Sequence, residues 1–290
     1  ILDIATYACQ GVRWKMLLQP LGRIRIVRTI QAIYAGLFSN ELIPMRFGEL
    51  VRAYLVSRWM KVKLANVVPS IVVERLLDGV WLAIAVSAVM IFLPLPKDLS
   101  RAGEIFGTAV LLGLGLFLYA IFKGGGEPQA VAPGPCRRRS GSYLAYLLAR
   151  FGADFRAIGL SRFFAYSVCL SWLVRFLQSA AFWLMMLACG LDLPYWKGAV
   201  VYLVMVLGTM VPNTPANVGT YQFFTVLGLR LFGVDKTAAI GFSVMTFVIL
   251  TVPLWLLGLL AVAKSGMSLK DIHRDIRRLT ARRQPVILES

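Results

Sequence analysis

The chain has 290 residues, of which 58% are hydrophobic, and it nevertheless carries a formal net charge of +17. A soluble domain of this size cannot bury so large an apolar fraction, so the composition predicts a polytopic membrane protein and excludes a soluble enzyme. The positive charges lie between apolar runs, as in loops that face an anionic cytoplasmic leaflet, and this placement argues against a nucleic-acid partner.

The cysteines and the single histidine show no metal-binding pattern. The four cysteines contain no CxxC pair, and His273 falls in a charged tail, where one imidazole is usually a solvated side chain. We therefore expect neither a metal nor another cofactor.

The chain begins with an apolar piece from Ile1 to Val12, which is short for a membrane span. As a helix it reaches about 18 Å, whereas the hydrocarbon core is about 30 Å thick. We expect the natural protein to have a longer N-terminus.

Long apolar runs follow, each close to or above the roughly twenty residues that a spanning helix needs. They predict spans at 66–93, 103–122, 163–190 and 237–263. Two further regions are interrupted by proline and glycine, and their halves of about 15 residues are marginal for a full crossing. These regions, 29–57 and 197–232, predict re-entrant hairpins.

The residues that interrupt the two hairpins match. The first hairpin contains Pro44 and Gly48, and the second contains Pro212, Pro215 and Gly219, so both share a PxxxG pattern. Combined with loop charges that make the hairpins enter from opposite sides, this match predicts an inverted repeat of helix, broken re-entrant hairpin and helix. The alternative is two unrelated kinks in an all-α bundle, because proline and glycine are common in membrane helices.

Lysine and arginine in the short loops predict the orientation, because positively charged loops stay in the cytoplasm. Basic residues flank the first hairpin, and the linker 124–142, rich in Gly, Pro, Ser and Arg, divides the chain in two. We expect an inner-membrane protein with a cytoplasmic linker and tail. Its predicted units are a first repeat with a connector helix (1–123), a basic linker with an amphipathic segment (124–162), a second repeat (163–263) and a basic tail (264–290).

Charged side chains also stand inside the apolar regions, where each costs several kcal/mol unless it is paired or hydrated. Glu74, Arg75 and Asp78 lie about three turns into their span, and Arg175 is in the middle of another. Glu74 and Asp78 share a helix face, and Arg75 can pair with Asp78 three residues away.

The first hairpin carries the charges that can complete this network. Arg46, Glu49 and Arg52 recur every three residues, so they can interlock with the acids of the neighbouring span. Four arginines against three acids leave one spare positive charge, which suits the phosphate or carboxylate of a lipid headgroup. The alternative is a buried structural lock that holds the hairpin in place.

The second hairpin is polar without charge. Asn213, Asn217 and Gln222 offer donors and acceptors that suit a sugar, amine or hydroxyl of a headgroup. The alternative is that these residues cap the broken helices.

The chain resembles the flippase-like membrane proteins related to the transmembrane region of lysylphosphatidylglycerol synthase, including hopanoid-associated relatives, over nearly its whole length. The resemblance implies a lipid-translocating membrane domain. The chain departs from the family at Ala216 and Gln222, where glycine and an acid are frequent, and only a basic tail follows Lys264, so we do not expect lipid aminoacylation. The matching motifs are Asn40 to Pro44, Arg46, Gly48 with Glu49, Arg52, Glu74 with Arg75, Asp78, and Pro212 to Gly219.

The leading hypothesis is a lipid flippase or transporter that moves an anionic or glycosylated lipid, such as a phospholipid, a hopanoid or a polyprenyl-linked lipid, between leaflets. Its expected partners are membrane lipids and, in addition, lipid-biosynthesis enzymes. One alternative is a membrane enzyme or enzyme subunit in lipid-linked sugar or cell-envelope lipid synthesis, which would need Glu74 or Asp78 as its base. Against an enzyme, the chain has no DxD motif and no histidine within its apolar runs. The other alternative is a non-transporting scaffold.

Overall fold

The computed structural model of the protein describes residues 2–42, 48–92, 97–123, 153, 155–159, 161–210 and 217–265. Across these residues the chain is α-helical without β-strands, which confirms the predicted all-α membrane fold. The helices are α1 (Leu2–Leu18), α2 (Ile26–Leu42), α3 (Gly48–Met60), α4 (Leu64–Phe92), α5 (Lys97–Lys123), α6 (Arg162–Ala188), α7 (Tyr195–Thr209), α8 (Thr220–Arg230) and α9 (Lys236–Lys264), with a short 3-10 turn at Gln19–Leu21.

The predicted spans coincide with the four longest of these helices. α4 and α9 have 29 residues each, and α5 and α6 have 27. A helix of that length reaches about 40 Å, which exceeds the roughly 30 Å hydrocarbon core. Among the described helices, α6 and α9 are long and apolar enough to cross a membrane by length and composition.

The two interrupted regions form pairs of short helices that pack against each other, α2 on α3 and α7 on α8. Their lengths, 17, 13, 15 and 11 residues, fit the predicted short halves. Gly48 is the first residue of α3, and Gly219 caps α8 with a φ of 86°. The other predicted breakers, Pro44, Pro212 and Pro215, lie outside the described residues.

The order of the elements repeats. α1 to α4 give helix, short pair and helix, α6 to α9 give the same order, and α5 connects them. The packing repeats as well, because α1 lies on α2 as α6 lies on α7, and α3 lies on α4 as α8 lies on α9. Opposite orientation of the two halves in a bilayer stays a prediction, as do the unit boundaries in the linker and tail.

Glycine allows the two helices of each short pair to approach closely. A Cβ on Gly48 would overlap the carbonyl oxygen of Gly36 and lie 2.6 Å from Asn40 Oδ1, which accepts a hydrogen bond from the Gly48 amide at 2.7 Å. In the second pair, a Cβ on Gly208 would overlap the ring of Phe224. Larger residues at these crossings would therefore push the pairs apart.

The first helix is longer than the sequence indicated. We expected the apolar piece to end at Val12, but α1 continues through Arg13 and Lys15 to Leu18, about 26 Å in all. The apolar piece ends before Arg13, but the helix does not, because Arg13 is paired with Glu74 and Asp78 inside the protein. The residues that follow, Trp14, Leu17 and Leu18, are fully or almost fully buried in the core.

Candidate functional site

A buried cluster of ion pairs joins α1, α3, α4 and α6. At its centre Glu74, which is fully buried, contacts three arginines from three helices. Arg13 Nη2 lies 2.8 Å and Arg75 Nη2 3.1 Å from Glu74 Oε1, and Arg52 Nη1 lies 3.0 Å from Glu74 Oε2. Glu49 adds a second carboxylate for Arg52 and Arg75.

Asp78, one turn further along α4, forms the other centre of the cluster. Arg13 Nη1 donates to Asp78 Oδ1 at 2.7 Å, and Arg175 Nη2 from α6 lies 3.0 Å from the same oxygen. Arg75 Nη2 lies 3.4 Å from Asp78 Oδ2, which is the pairing expected from their spacing of three residues. Arg13 Nη1 also donates to Ser171 Oγ at 3.0 Å.

Arg13 is the member of the cluster that sequence reasoning missed. Its side chain is 0% exposed, and it is one of two arginines that bridge α4 to other helices through Glu74. The sequence does contain a signal that the helix continues past Arg13, because large apolar residues follow it. In the structure the next residue, Trp14, donates its indole N–H to Ser70 Oγ at 3.0 Å. An arginine followed by further apolar residues is typical of a helix that continues past a paired charge.

Solvent exposure divides the cluster into two parts. The side chains of Arg13 and Glu74 are 0% exposed and that of Arg52 is 5% exposed, whereas Arg75 is 50% exposed and Arg175 15%. The first three are buried where they join α1 and α3 to α4, so we term them the lock. Arg75 and Arg175 are more exposed, so their side chains can contact a ligand.

The accessible side of the cluster opens into a cavity of about 720 Å³ between α4, α5 and the end of α7, which we term the charged cavity. Among its lining residues, Arg75, Asp78 and Arg175 are the charged ones, and they lie together, while most of the remaining wall is apolar. The cavity therefore combines one polar end with a hydrocarbon-like interior. Its apolar wall includes Val72, Leu76, Phe106, Val110, Leu116 and Val206.

A second cavity of about 840 Å³ lies further along α4, between α4, α6 and α7. We term it the aromatic cavity, because the described residues of its wall include six aromatic residues and no charged one. Trp81 lines both cavities, and the guanidinium of Arg175 lies over its ring at 5.7 Å. The aromatic residues are Trp81, Trp172, Phe176, Tyr195, Trp196 and Tyr202.

Hydrogen bonds connect the charged cluster to the aromatic cavity. Gln178 Oε1 accepts from Arg175 Nη1 at 3.0 Å and from the Tyr202 hydroxyl at 3.0 Å. Arg175 is thus held at the junction of the two cavities by Asp78 on one side and Gln178 on the other. A held guanidinium presents its remaining donors in a fixed direction.

The structure brings together most of the charged residues that the sequence singled out. Glu49, Arg52, Glu74, Arg75, Asp78 and Arg175 all belong to the cluster. Arg46 and Asn213, which were predicted to contact substrate, lie outside the described residues. Their substrate contacts stay a prediction.

The polar residues of the second hairpin lie at the start of α8. Asn217 has a φ of 53°, and Gln222 Oε1 accepts a hydrogen bond from the Gly219 amide at 2.7 Å. Gln222 therefore caps the helix, and neither residue is among those that line the two cavities. Their predicted headgroup contacts have no support from this placement.

The long apolar helices, the paired short helices and the buried charges define a polytopic helical membrane protein. Within that class, the chain belongs to the family of the lysylphosphatidylglycerol synthase transmembrane region, which matches residues 1–258. This match confirms the resemblance that the hairpin and span motifs indicated, and it makes the chain a lipid-related membrane protein.

Two relatives from archaea are similar to the chain. Glycosyltransferase AglD of Haloferax volcanii is 24% identical over 281 residues, which is 84% of this chain and 45% of that protein. A UPF0104 membrane protein of Methanocaldococcus jannaschii is 21% identical over 206 residues, which is 70% of this chain and 83% of that protein. The chain thus spans less than half the length of AglD. No solved structure matches the chain.

Proposed function

We propose that the protein is a lipid transporter that moves an anionic or glycosylated lipid between leaflets. The observation that carries this proposal is the arrangement of the two cavities, which follow one another along α4 and meet at Trp81 beside the charged cluster. The lining residues of α4 run from Val72 to Val89. At 1.5 Å per residue this is about 26 Å, most of the thickness of a hydrocarbon core.

The chemistry of the charged cavity suits a lipid. Arg75 and Arg175 can each donate to a headgroup phosphate, and a guanidinium binds phosphate oxygens through a planar fork of N–H groups. The apolar wall can accept the adjoining hydrocarbon chain, whose burial contributes roughly 25 cal/mol per Å². The headgroup would then pass from Arg75 to Arg175 towards the aromatic cavity, while the lock of Arg13, Arg52 and Glu74 keeps the surrounding helices in place.

The basic loops extend the proposal to cellular location. We propose an inner-membrane protein whose linker and C-terminal tail are cytoplasmic, because the lysines and arginines of short loops are retained on that side. In this orientation the charged cavity faces the cytoplasmic half of the bilayer and the aromatic cavity the outer half. Lipid-biosynthesis enzymes on the cytoplasmic side are the proposed partners.

The test is translocation of a fluorescent anionic phospholipid in proteoliposomes, with quenching by a membrane-impermeant reductant as the readout. Arg75→Gln and Arg175→Gln should each slow translocation by at least about tenfold, since a charge-assisted hydrogen bond contributes roughly 1.5–3 kcal/mol. Arg162→Gln is the matched control, because Arg162 is an exposed arginine at the start of α6. Unchanged translocation in both cavity variants would refute the proposal.

A second candidate function is a membrane enzyme, or a non-transporting subunit, in the synthesis of lipid-linked sugars or envelope lipids. It is favoured by the similarity to AglD, whose name describes a glycosyltransferase, although the chain covers only 45% of that protein. Mass spectrometry of the recovered lipid separates the candidates. A transporter returns the labelled lipid unchanged in the opposite leaflet, an enzyme returns a modified lipid, and a subunit binds the lipid without moving it.

A further inference from the structure

We infer that the charged cavity selects a lipid whose headgroup carries a single negative charge, and that Glu49 sets this preference. The inference rests on the proposed function, because it names the class of lipid that the same cavity takes. The inferred preference of the cavity is for phosphodiester lipids over lipids whose headgroup carries two or more negative charges.

The charges of the cluster leave a surplus of one. The described residues of the cluster contribute four positive and three negative formal charges, which gives a net charge of +1. The positive residues are Arg13, Arg52, Arg75 and Arg175, and the negative residues are Glu49, Glu74 and Asp78.

The surplus matters because the site is enclosed by apolar side chains. Apart from Arg75, Asp78 and Arg175, the described residues that line the charged cavity are uncharged, so none of them offers a further cation to a second negative charge. In a medium of low dielectric constant, a complex with zero net charge is favoured over one that buries an unpaired charge. A headgroup with one negative charge neutralises the cluster, whereas a headgroup with two leaves a net charge of −1.

Glu49 is the carboxylate of the cluster whose removal changes this balance with least damage to the lock. It extends from α3 to the exposed arginine, with Glu49 Oε1 3.7 Å from Arg75 Nη1, and its side chain is 32% exposed. Without its charge, Arg52 still pairs with Glu74, and Arg75 still pairs with Glu74 and Asp78. Glu49→Gln therefore raises the net charge of the cluster to +2 while each arginine keeps a partner.

The experiment compares two lipids with the same acyl chains and different headgroup charges. Purified protein in nanodiscs of a zwitterionic lipid binds a fluorescent phosphatidylglycerol, which is displaced by unlabelled phosphatidylglycerol or by phosphatidic acid at a pH at which its phosphate is a dianion. The parent protein should prefer phosphatidylglycerol. Glu49→Gln should shift the ratio of the two affinities towards phosphatidic acid by about tenfold, because it removes a negative charge 3.7 Å from Arg75, which lines the cavity.

Glu104→Gln is the matched control, because Glu104 is an exposed carboxylate on α5 that does not line the cavity. This variant should keep the affinity ratio of the parent, and a shift equal to that of Glu49→Gln would overturn the inference, since it would reflect overall charge. Equal affinity of the parent for the two lipids would also overturn it, whether or not Glu49→Gln folds. In that case, translocation of either lipid would still support the transporter proposal. If the parent protein neither binds nor moves either lipid, both proposals are refuted.

Discussion

Neutralisation of Glu74 should destabilise the protein more than loss of any exposed carboxylate. Glu74 is fully buried and pairs with Arg13, Arg52 and Arg75 at 2.8, 3.0 and 3.1 Å. Glu74→Gln leaves two of these guanidinium groups, those of Arg13 and Arg52, buried with one acidic partner each. Removing one partner of a buried ion pair costs about 3–5 kcal/mol, which corresponds to a fall of roughly 6–20 °C in Tm for a chain of this size.

The assay is thermal unfolding of the purified protein in detergent, followed by tryptophan fluorescence, with Glu104→Gln as the exposed control. A double variant, Arg13→Met with Glu74→Leu, removes one charge of each sign and keeps the net charge of the cluster. It should recover a large part of the lost stability, because apolar residues of similar size can replace a buried pair at little cost. Equal melting of Glu74→Gln and Glu104→Gln would refute the buried lock, and no recovery in the double variant would show that Arg13 stabilises the fold by other contacts.

Three further predictions address the lock, the short helix pairs and the topology. Arg52→Lys should lower Tm but leave the affinity for anionic lipid unchanged. The reason is that Arg52 is buried, stacks over Trp14 at 4.8 Å and lines neither cavity. A selective loss of lipid binding would instead support the predicted headgroup contact of Arg52. Gly48→Ala should lower Tm, because a Cβ at residue 48 would overlap the carbonyl oxygen of Gly36. Gly107→Ala is the control, because a Cβ at residue 107 has open space around it. Equal Tm values for the two variants would contradict the close crossing of α2 and α3. Cysteines introduced at Gly125 and Ser268 should be shielded from an impermeant thiol reagent on intact cells while one at Lys97 is labelled, and labelling of the linker would invert the orientation.

Much of the fold could be predicted from the sequence, because membrane spans depend on a local property. A run of apolar residues of the right length is sufficient to predict a spanning helix, and the ends of α4, α6 and α9 fall within two residues of the predictions, whereas α5 begins at Lys97, six residues before the predicted span. The short pairs followed from the places where proline and glycine occur together, since a single proline does not end α4 at Pro69 or α9 at Pro253. The end of α1 depends instead on residues that are distant in sequence. Arg13 remains within the helix because it pairs with acids 61 and 65 residues away.

The candidate site was harder to predict because it combines side chains from distant elements. The sequence indicated that Glu74 and Asp78 need cationic partners, and spacing along α4 correctly paired Arg75 with Asp78. It could not indicate that Arg13 on α1 supplies a bridge to each acid, because no local pattern links α1 to α4. Nor could it separate Arg52 from Arg75, since both are arginines near the same acids and differ in their exposure, 5% against 50%.

The two interpretations of the charges, a structural lock and a headgroup site, are therefore not exclusive. Both acids of α4 contact Arg13, which is buried, and both also contact Arg75, which faces the charged cavity. A ligand phosphate that draws Arg75 away from these acids leaves Glu74 with Arg13 and Arg52, and Asp78 with Arg13 and Arg175. Under the proposed function, the lock supplies enough positive charge to hold the acids while Arg75 changes partners, so the helices would not have to separate when Arg75 binds or releases a headgroup. Without Arg13, each acid would keep only one of these arginines when Arg75 is drawn away, Glu74 with Arg52 and Asp78 with Arg175, so this reserve would be smaller.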